Sequence, residues 1–314
     1  MSLQSRVRAC LWALPIPLLA LACAGAPRSR AETPAAVPDA AAVALGGFSF
    51  VLSGSRELAP GIRWDAFEAS RPRRQALHVV TVAAGSLSAA GAWRAVALVG
   101  PDPDGAGPAE AALRDPLEEA VASGALVLVN ANGFSFLGAA GMEEPYFPYD
   151  EGRPVDIFGH AAEGGVLRSP PQGSMPSLRV DHEGLVSVGS GGGDWQAVSG
   201  FGALVQGGRV VPVPGGERHP RTAAGVDAEG GLILLVADGR DPFRGPGLTL
   251  EELARVLLDL GCVEALNLDG GGSSALVLRG PDGIARIANK PSDLGFPRFA
   301  LRPVPVMFAI VPAP

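Results

Sequence analysis

The segment LNLDGGGSS holds the residue types most suited to chemistry in this chain. An apolar run ends at Asp269 and is followed by Gly270, Gly271, Gly272 and Ser273. A glycine run lets successive backbone N–H groups turn toward one point and bind an anion, and it lets a ligand approach where any Cβ would clash. A tight bulge in a sheet is the alternative, but a bulge rarely needs three glycines behind an aspartate. We therefore predict a site here, with Asp269 as a carboxylate at its rim.

A second acidic turn, VADGRD, ends another apolar run and contains Asp238 and Arg240. Asp-Gly alone is a common turn, but proximity to Asp269 would make it part of the same site. Two carboxylates at neighbouring strand ends are suited to acid/base chemistry or to stabilising an oxocarbenium ion. Arg221, which opens the preceding strand, is a candidate planar donor for a phosphate or carboxylate, and a surface arginine is the alternative.

Asparagine is rare in this chain, and its positions are informative for that reason. The four asparagines lie at strand ends in turns rich in Gly and Asp: Asn130, Asn132, Asn267 and Asn289. Asn130 and Asn132 could donate hydrogen bonds to sugar hydroxyls or hold a turn in a left-handed conformation. We expect Asn132 or Asn130, together with Asn289, to orient substrate hydroxyls.

The remaining polar and aromatic residues give weaker indications. Tyr146 and Tyr149 could stack on a sugar or cover the site, and ordinary loop packing is the alternative. The four histidines show no metal-ligand spacing, and the chain has no serine nucleophile elbow, Walker loop or CxxC pair.

The elements that must position these residues are clearest in the last third of the chain. Residues 221–241 are predicted to form a hairpin, and residues 249–261 a helix with a capping box from Thr249 and Glu252. A strand beginning at Cys262 follows directly. This strand–helix–strand unit brings VADGR and LNLDGGG to corresponding ends of two strands, where ligands commonly bind.

Earlier segments complete an α+β fold class. Strands are predicted at 78–83, 94–100 and 125–134, and a helix at 110–124 that Pro116 bends or splits. We expect a single domain with a mixed, strand-rich and twisted sheet flanked by a few helices. The 43 glycines and 29 prolines fit many short elements, and the net charge of −7 argues against nucleic-acid binding.

The N-terminus reads as a targeting segment. Residues 1–23 combine a basic start with a short apolar run, and LALAC resembles a bacterial lipobox with Cys23 as the lipidated residue. Ordinary secretory cleavage near CAGA is the alternative. Residues 24–45 would form an Ala/Pro-rich tether and residues 46–314 the folded domain. We expect an exported protein of the bacterial cell envelope, in contact with the membrane only through one lipid anchor. Cys262 is expected to be a buried structural thiol.

Several blocks together resemble the phosphodiester glycosidase family. They are GLTLEELARVLLDLGCVEALNLDGGGSSALV, preceded by PRTAAGVDAEGGLILLVADGR, with AVSGFGALVQGGRVV, IANKPSD and LRPV. The similarity extends over roughly residues 76–311. The segment NANGFSF corresponds to the family's Asn-Gly-Gly-Phe-Phe-like turn. The residue equivalent to the family's asparagine is therefore Asn130 or Asn132. The arginine that follows PSD in the family is Arg302 or Arg298.

The resemblance implies cleavage of the bond between a sugar's C1 and a phosphate oxygen. Breaking C1–O releases a phosphomonoester, whose second pKa is about 6, so this group departs as an anion with little need of a strong acid. Arg221 and the N–H groups of Gly270–Gly272 would hold the phosphate, while Asp269 and Asp238 act at the anomeric carbon. A phosphodiesterase that breaks P–O would more often show a His/Asp metal cluster.

The substrate is expected to be a phosphorylated glycan or sugar phosphate in envelope or extracellular material. The sequence requires no cofactor, although the carboxylates would suit calcium or magnesium. The alternative from another class is a non-catalytic surface lipoprotein that binds phosphorylated glycans. A structural protein related to spores or exopolysaccharide is a third possibility.

Overall fold

A computed structural model describes residues 42–88, 91–105, 107–137, 149–191, 194–213, 216–293 and 300–314. The predicted signal peptide, the lipidation at Cys23 and most of the tether lie outside these ranges, as do Tyr146 and Arg298. Within the described ranges, no helix has the length and apolar character needed to cross a membrane. The first strand begins at Val43, three residues before the predicted start of the folded domain.

Strands are numbered along the chain, and nine of them form the large sheet. Its spatial order is β1 (Val43–Leu45), β2 (Phe48–Ala59), β3 (Ile62–Arg71), β4 (Gln75–Val82), β18 (Leu232–Ala237), β17 (Arg221–Asp227), β19 (Cys262–Asn267), β15 (Gly202–Gln206) and β16 (Arg209–Val210).

Three smaller sheets account for the other described strands. One consists of β21 (Ala285–Ile287), β20 (Leu276–Arg279), β7 (Val127–Asn130), β22 (Val306–Pro312) and β5 (Trp93–Val99). Another consists of β11 (Val166–Ser169), β10 (Ala161–Glu163), β14 (Gln196–Ser199), β12 (Ser177–Val180) and β13 (Val186–Gly189). The smallest consists of β6 (Ala111–Ala112), β9 (Pro154–Ile157) and β8 (Phe134–Phe136).

The strand-rich α+β class with few helices is confirmed, but the expected mixed sheet is wrong. Every strand pair among the described residues is antiparallel, including β17 with both β18 and β19. The helical connection from β18 to β19 does not pair these two strands, because β17 lies between them. β18 and β19 therefore run in the same direction without pairing with each other, and the two acidic turns follow their corresponding ends.

Burial on both faces explains why β18 reads as an unbroken apolar run. Leu232, Leu234 and Val236 pack into the core on one face of the large sheet, while Ile233 and Leu235 pack on the opposite face. An antiparallel strand with one solvated face would alternate apolar and polar residues. This strand does not, because protein covers it on both sides.

Helix α1 (Pro116–Ala122) is shorter than predicted. Asp115 accepts hydrogen bonds from the N–H groups of Leu117 (2.7 Å) and Glu118 (3.1 Å), so it is the N-cap. Proline is favoured at the first helical position because its missing N–H would have no partner there. Pro116 thus starts the helix rather than bending it, and the two-residue strand β6 lies within the first part of the predicted helix.

Helix α2 (Leu250–Asp259) confirms the predicted capping box. The Glu252 N–H donates to Thr249 Oγ1 (3.1 Å), and the Thr249 N–H donates to Glu252 Oε2 (3.0 Å). Leu253 and Leu257 are fully buried against the large sheet. The helix therefore fixes the connection that delivers β19 to its place beside β17.

Replacing Thr249 by alanine should lower the free energy of unfolding by about 1 kcal/mol, because one helix N–H loses its acceptor. Urea unfolding monitored by circular dichroism measures this change. Thr249→Ser keeps the hydroxyl and should cost much less. Equal costs for the serine and alanine variants would show that the cap does not stabilise the helix.

Candidate active site

Three of the predicted site residues lie at one edge of the large sheet. Arg221 pairs with Ala237, and Ala223 pairs with Asn267, so the start of β17 lies beside the ends of β18 and β19. This arrangement confirms that the two acidic turns lie at corresponding strand ends. It brings Asp238, Arg221 and Asp269 to the same edge, in the order of their strands.

The glycine turn does not form the predicted nest of three N–H donors. The Gly270 N–H donates to Asp269 Oδ1 (2.9 Å), and the Gly271 N–H donates to the carbonyl oxygen of Pro220 (2.9 Å). Residues Gly271–Ser273 form one short 3-10 turn. Two of the three N–H groups are thus engaged within the protein, and binding by these glycines stays a prediction.

Close approach by neighbouring groups explains why these positions are glycine. A Cβ on Gly270 would lie 2.8 Å from the Pro220 oxygen, and one on Gly271 would lie 3.2 Å from Arg240 Nη2. Gly271 also has a φ of +62°, in the left-handed region that favours glycine. A Cβ on Gly272 would overlap the Arg302 guanidinium. The glycine turn therefore admits two arginine side chains against bare backbone.

Asp269 has a carboxyl group with unusual proton affinity. Burial raises its pKa to about 6, although a hydrogen bond with Ser273, the positive charge of Arg302 and the Gly270 N–H oppose the increase. Its backbone is fixed as well, since its N–H donates to the Ala131 oxygen (2.8 Å). A carboxyl group with a pKa near the working pH is suited to proton transfer or nucleophilic attack.

Arg302 is the site residue that the sequence prediction left unassigned. Its Nε and Nη2 atoms donate to the two carboxylate oxygens of Asp293 at 2.9 and 2.8 Å. Its Nη1 lies 3.5 Å from Ser273 Oγ, and its guanidinium lies 3.8 Å from the centre of the Tyr149 ring. Burial alone would lower the pKa of Arg302, but the Asp293 pair raises it above its ordinary value. This pairing favours Arg302 as the arginine that follows PSD.

Arg240 and Arg221 extend the positive charge from Arg302 along the edge. Within the described part of the chain, the Arg240 guanidinium forms no ion pair, and burial followed by the charge of Arg302 lowers its pKa. Arg221 donates from Nε to the Leu248 oxygen (3.0 Å), and burial followed by the charge of Arg240 lowers its pKa. These three residues, here called the arginine cluster, repel one another. A bound anion would relieve that repulsion.

Asp238 is buried and does not reach the surface at which a substrate would bind. Its side chain has no exposed surface, and Arg244 Nη1 donates to its Oδ2 (3.1 Å). The Lys290 N–H donates to its Oδ1 (2.9 Å). The Lys290 ammonium in turn pairs with Asp241. This geometry does not support direct action of Asp238 on a substrate. It gives Asp238 a supporting role, in which it joins the segment before Asp293 to the turn that carries Arg240.

Asn130 holds the glycine turn. Its Nδ2 donates to the Asp269 carbonyl (2.7 Å), and its Oδ1 accepts from Thr222 Oγ1 (2.7 Å) and the Ala275 N–H (3.0 Å). The side chain is fully buried. Asn130 is the last residue of β7 and is not left-handed, so it does not form a left-handed turn; its side chain instead holds the turn after Asp269.

Asn132 and Asn289 have the same kind of role. Asn132 Nδ2 donates to the Phe158 oxygen (2.9 Å) and its Oδ1 accepts the Ser199 N–H (3.0 Å). Asn289 Oδ1 accepts the Leu276 N–H (2.7 Å), and its Nδ2 donates to the Ser274 oxygen. With both ends of each amide engaged, neither side chain is presented to sugar hydroxyls. The prediction that they orient hydroxyls is not supported.

The carboxylates do not fit a calcium or magnesium site. In the described part of the chain, no three His, Cys, Asp or Glu side chains lie together as metal ligands would. Protein donors occupy both oxygens of Asp238, and Asp269 lies beside a guanidinium, whereas such cations prefer several free oxygen ligands.

Asp269, a partly buried carboxyl group with a pKa of about 6, lies beside clustered guanidinium groups, an arrangement suited to binding an anion and transferring a proton. A family model described as phosphodiester glycosidase matches residues 150–311, which is more than half of the chain. The chain belongs to the phosphodiester glycosidase family. The resemblance stated from the sequence is thus confirmed.

Individual relatives match shorter segments. The N-acetylglucosamine-1-phosphodiester alpha-N-acetylglucosaminidase of Mus musculus is 49% identical over 73 residues, covering 23% of this chain and 13% of the mouse protein. The Homo sapiens enzyme of the same name is 47% identical over 73 residues, with the same two coverages. The matched segment is therefore a small part of these relatives' length.

Solved structures share the fold. The catalytic domain of the zebrafish enzyme of that name, auto-inhibited by its pro-peptide, aligns with a TM-score of 0.55 and 21% identity, covering 82% of this chain and 83% of that one. A hypothetical protein from Synechocystis aligns with a TM-score of 0.51 and 17% identity, covering 80% and 62%. The arrangement of strands is thus common to these proteins.

Gly272→Ala should displace the Arg302 guanidinium and weaken binding of inorganic phosphate at least about tenfold, because small displacements in such sites are costly. Isothermal titration calorimetry measures the affinity. Gly189→Ala is the control, since a Cβ there meets only the end of Arg179 at 3.8 Å. Unchanged phosphate affinity in a folded Gly272→Ala protein would contradict the assigned role of the arginine cluster.

Proposed function

We propose that this protein is a hydrolase that cleaves the C1–O bond of a sugar-1-phosphodiester. The observation that carries the proposal is Asp269, a partly buried carboxyl group with a pKa of about 6, beside the arginine cluster. Family membership supports a glycosidase-type activity. The names of the relatives specify N-acetylglucosamine on a phosphodiester, so we take this sugar as the first substrate to test.

In this proposal the arginine cluster binds the phosphate. Guanidinium groups donate pairs of parallel N–H groups to phosphate oxygens, and several of them together favour the leaving phosphate as its negative charge grows. The phosphomonoester that leaves has a second pKa of about 6, so it departs as an anion near neutral pH. The site therefore needs anion binding more than it needs a strong acid.

Asp269 then acts at the sugar. As the C1–O bond breaks, positive charge develops on the sugar ring, and a nearby carboxylate stabilises it. The same carboxylate can attack C1 or remove a proton from the attacking water. Each of these roles requires the ionised form, which predominates above pH 6 when the pKa is about 6.

The setting of this reaction is also a proposal. The basic start, apolar run and LALAC motif support export and anchoring through Cys23. We therefore propose phosphorylated glycans of the cell envelope or extracellular material as substrates. A non-catalytic lipoprotein that binds such glycans through the same residues is the alternative.

Asp269→Asn should lower kcat by about 100-fold or more, because the variant cannot ionise. In the wild type, kcat should rise with pH through about 6 and then level off, as Asp269 loses its proton. Steady-state kinetics on a synthetic phosphodiester of N-acetylglucosamine measures both effects.

Asp282→Asn serves as the control, because Asp282 lies in an exposed ion pair with Arg286. Unaltered turnover in Asp269→Asn would reject the catalytic assignment. A wild type that binds the phosphodiester without turnover would instead support the binding protein.

Asp269→Asn should also stabilise the protein above about pH 6. The pKa of Asp269 is raised from 3.8 to about 6, so the folded protein holds an extra proton between these values. Wild-type stability therefore falls relative to the variant as pH rises through this window, by at most about 3 kcal/mol. Urea unfolding at about pH 4 and about pH 7.5 tests this. A stability difference that does not change with pH would contradict it.

A further inference from the structure

Phe201 is an exposed aromatic residue at the edge that carries the site. It immediately precedes β15, and its N–H donates to the Asn267 oxygen (2.8 Å) at the end of β19. The exposed fraction of Phe201 is 50%. Single exposed apolar side chains are common on proteins, so exposure alone says little. Phe201 is of interest because it lies beside the end of β19, two residues before Asp269.

The position of the Phe201 ring depends on two glycines. A Cβ on Gly133 would overlap the ring, and a Cβ on Gly200 would collide with the Asn267 oxygen. Phe158 packs against Phe201 with ring centres 6.2 Å apart and planes at 66°. One part of the ring thus lies on the protein while the rest remains open. We call Phe158 and Phe201 the aromatic shelf.

The order of strands along the large sheet separates charge from apolar surface. The neighbouring strands β18, β17, β19 and β15 carry Arg240, Arg221, Asp269 and Phe201 in that order at one edge. Arg221 begins β17, while Phe201, Asp269 and Arg240 lie one to three residues outside their strands, so the strand order gives their order along this edge. In strand order Asp269 lies between Arg221 and Phe201, and Arg302 reaches it from outside this sheet.

A sugar-1-phosphodiester has the same asymmetry, with an anion on one side of C1 and a pyranose ring on the other. Aromatic rings offer a flat apolar surface to which the C–H face of a sugar can pack. We infer that the aromatic shelf binds the sugar ring while the arginine cluster binds the phosphate. The substrate lies across β19 with C1 at Asp269. This inference rests on the proposed function and adds the orientation of its substrate.

The test uses free ligands as well as turnover. In the full-length protein, Phe201→Ala should weaken the binding of N-acetylglucosamine about tenfold and leave the affinity for inorganic phosphate unchanged. Arg240→Met should weaken the binding of inorganic phosphate and leave the affinity for N-acetylglucosamine unchanged. Ligand-observed NMR titration measures both affinities, and glucose and mannose extend the panel of sugars.

Trp195→Ala is the matched control for loss of an exposed aromatic side chain. Trp195 is 38% exposed and lies at the opposite end of β14 from Phe201, about 20 Å along the chain. Sugar affinity should not change in this variant. If Phe201→Ala does not fold, Phe201→Trp and Phe201→Leu are tested in its place. If the ring stacks on the sugar, the Phe201→Trp variant should retain sugar binding and the Phe201→Leu variant should lose it.

The outcomes separate this inference from the proposed function. Equal sugar affinity in wild type and Phe201→Ala would overturn the inference that the aromatic shelf binds the sugar. The proposal that the protein hydrolyses a sugar-1-phosphodiester would still stand. A wild type that binds phosphate but none of the three sugars would also overturn it. Absence of turnover with the expected pattern of affinities would reject catalysis and support the orientation.

Discussion

Mutual repulsion within the arginine cluster is the constraint on which the site depends. Arg221, Arg240 and Arg302 lie close enough for the charge of one to lower the pKa of the next, and Asp293 neutralises only part of that charge. Such an arrangement persists only if the surrounding structure holds it. The large sheet positions Arg221 and the turn that carries Arg240, while the Asp293 carboxylate holds Arg302.

Buried polar groups provide the rest of that support. Asn130 ties the backbone of Asp269 to the turn that follows it, and Asn289 ties the same turn to the next segment. Asp238 and Lys290 join that segment to the Arg240 turn. Because each of these groups has partners at its polar atoms, its burial is not penalised as an unpaired polar group would be. Hydrogen bonds from Asn130 and Asn289 thus fix the backbone on both sides of the glycine turn that follows Asp269.

The sequence predicted the framework of the site better than the roles of its residues. The hairpin of β17 and β18, the capped helix α2 and the convergence of the two acidic turns follow from apolar runs and capping residues that act over short distances. The pairing of β17 with β19 could not be derived, because nothing in the local pattern shows that β17 lies between β18 and β19. The start of α1 was missed because Pro116 can either begin a helix or break one.

Roles depend on contacts between distant parts of the chain, and residue type does not reveal them. An Asp or Asn at a strand end looks the same whether it faces a ligand, as Asp269 can, or holds backbone, as Asp238 and Asn130 do. The sequence does not decide between Arg302 and Arg298, because the pairing of Arg302 with Asp293 becomes evident only when the fold is known. The spacing of the PSD and LRPV segments was the one signal that could have indicated this pair.

The most direct test of the account is the position of the broken bond. Hydrolysis of an N-acetylglucosamine phosphodiester in water enriched with heavy oxygen, followed by mass spectrometry and NMR of the products, locates the oxygen that water contributes. A carboxylate acting at C1 beside a phosphate held by arginines requires the label on the sugar's C1 hydroxyl. Label in the phosphate would show that P–O breaks instead, and would contradict the assignment of Asp269 to the sugar.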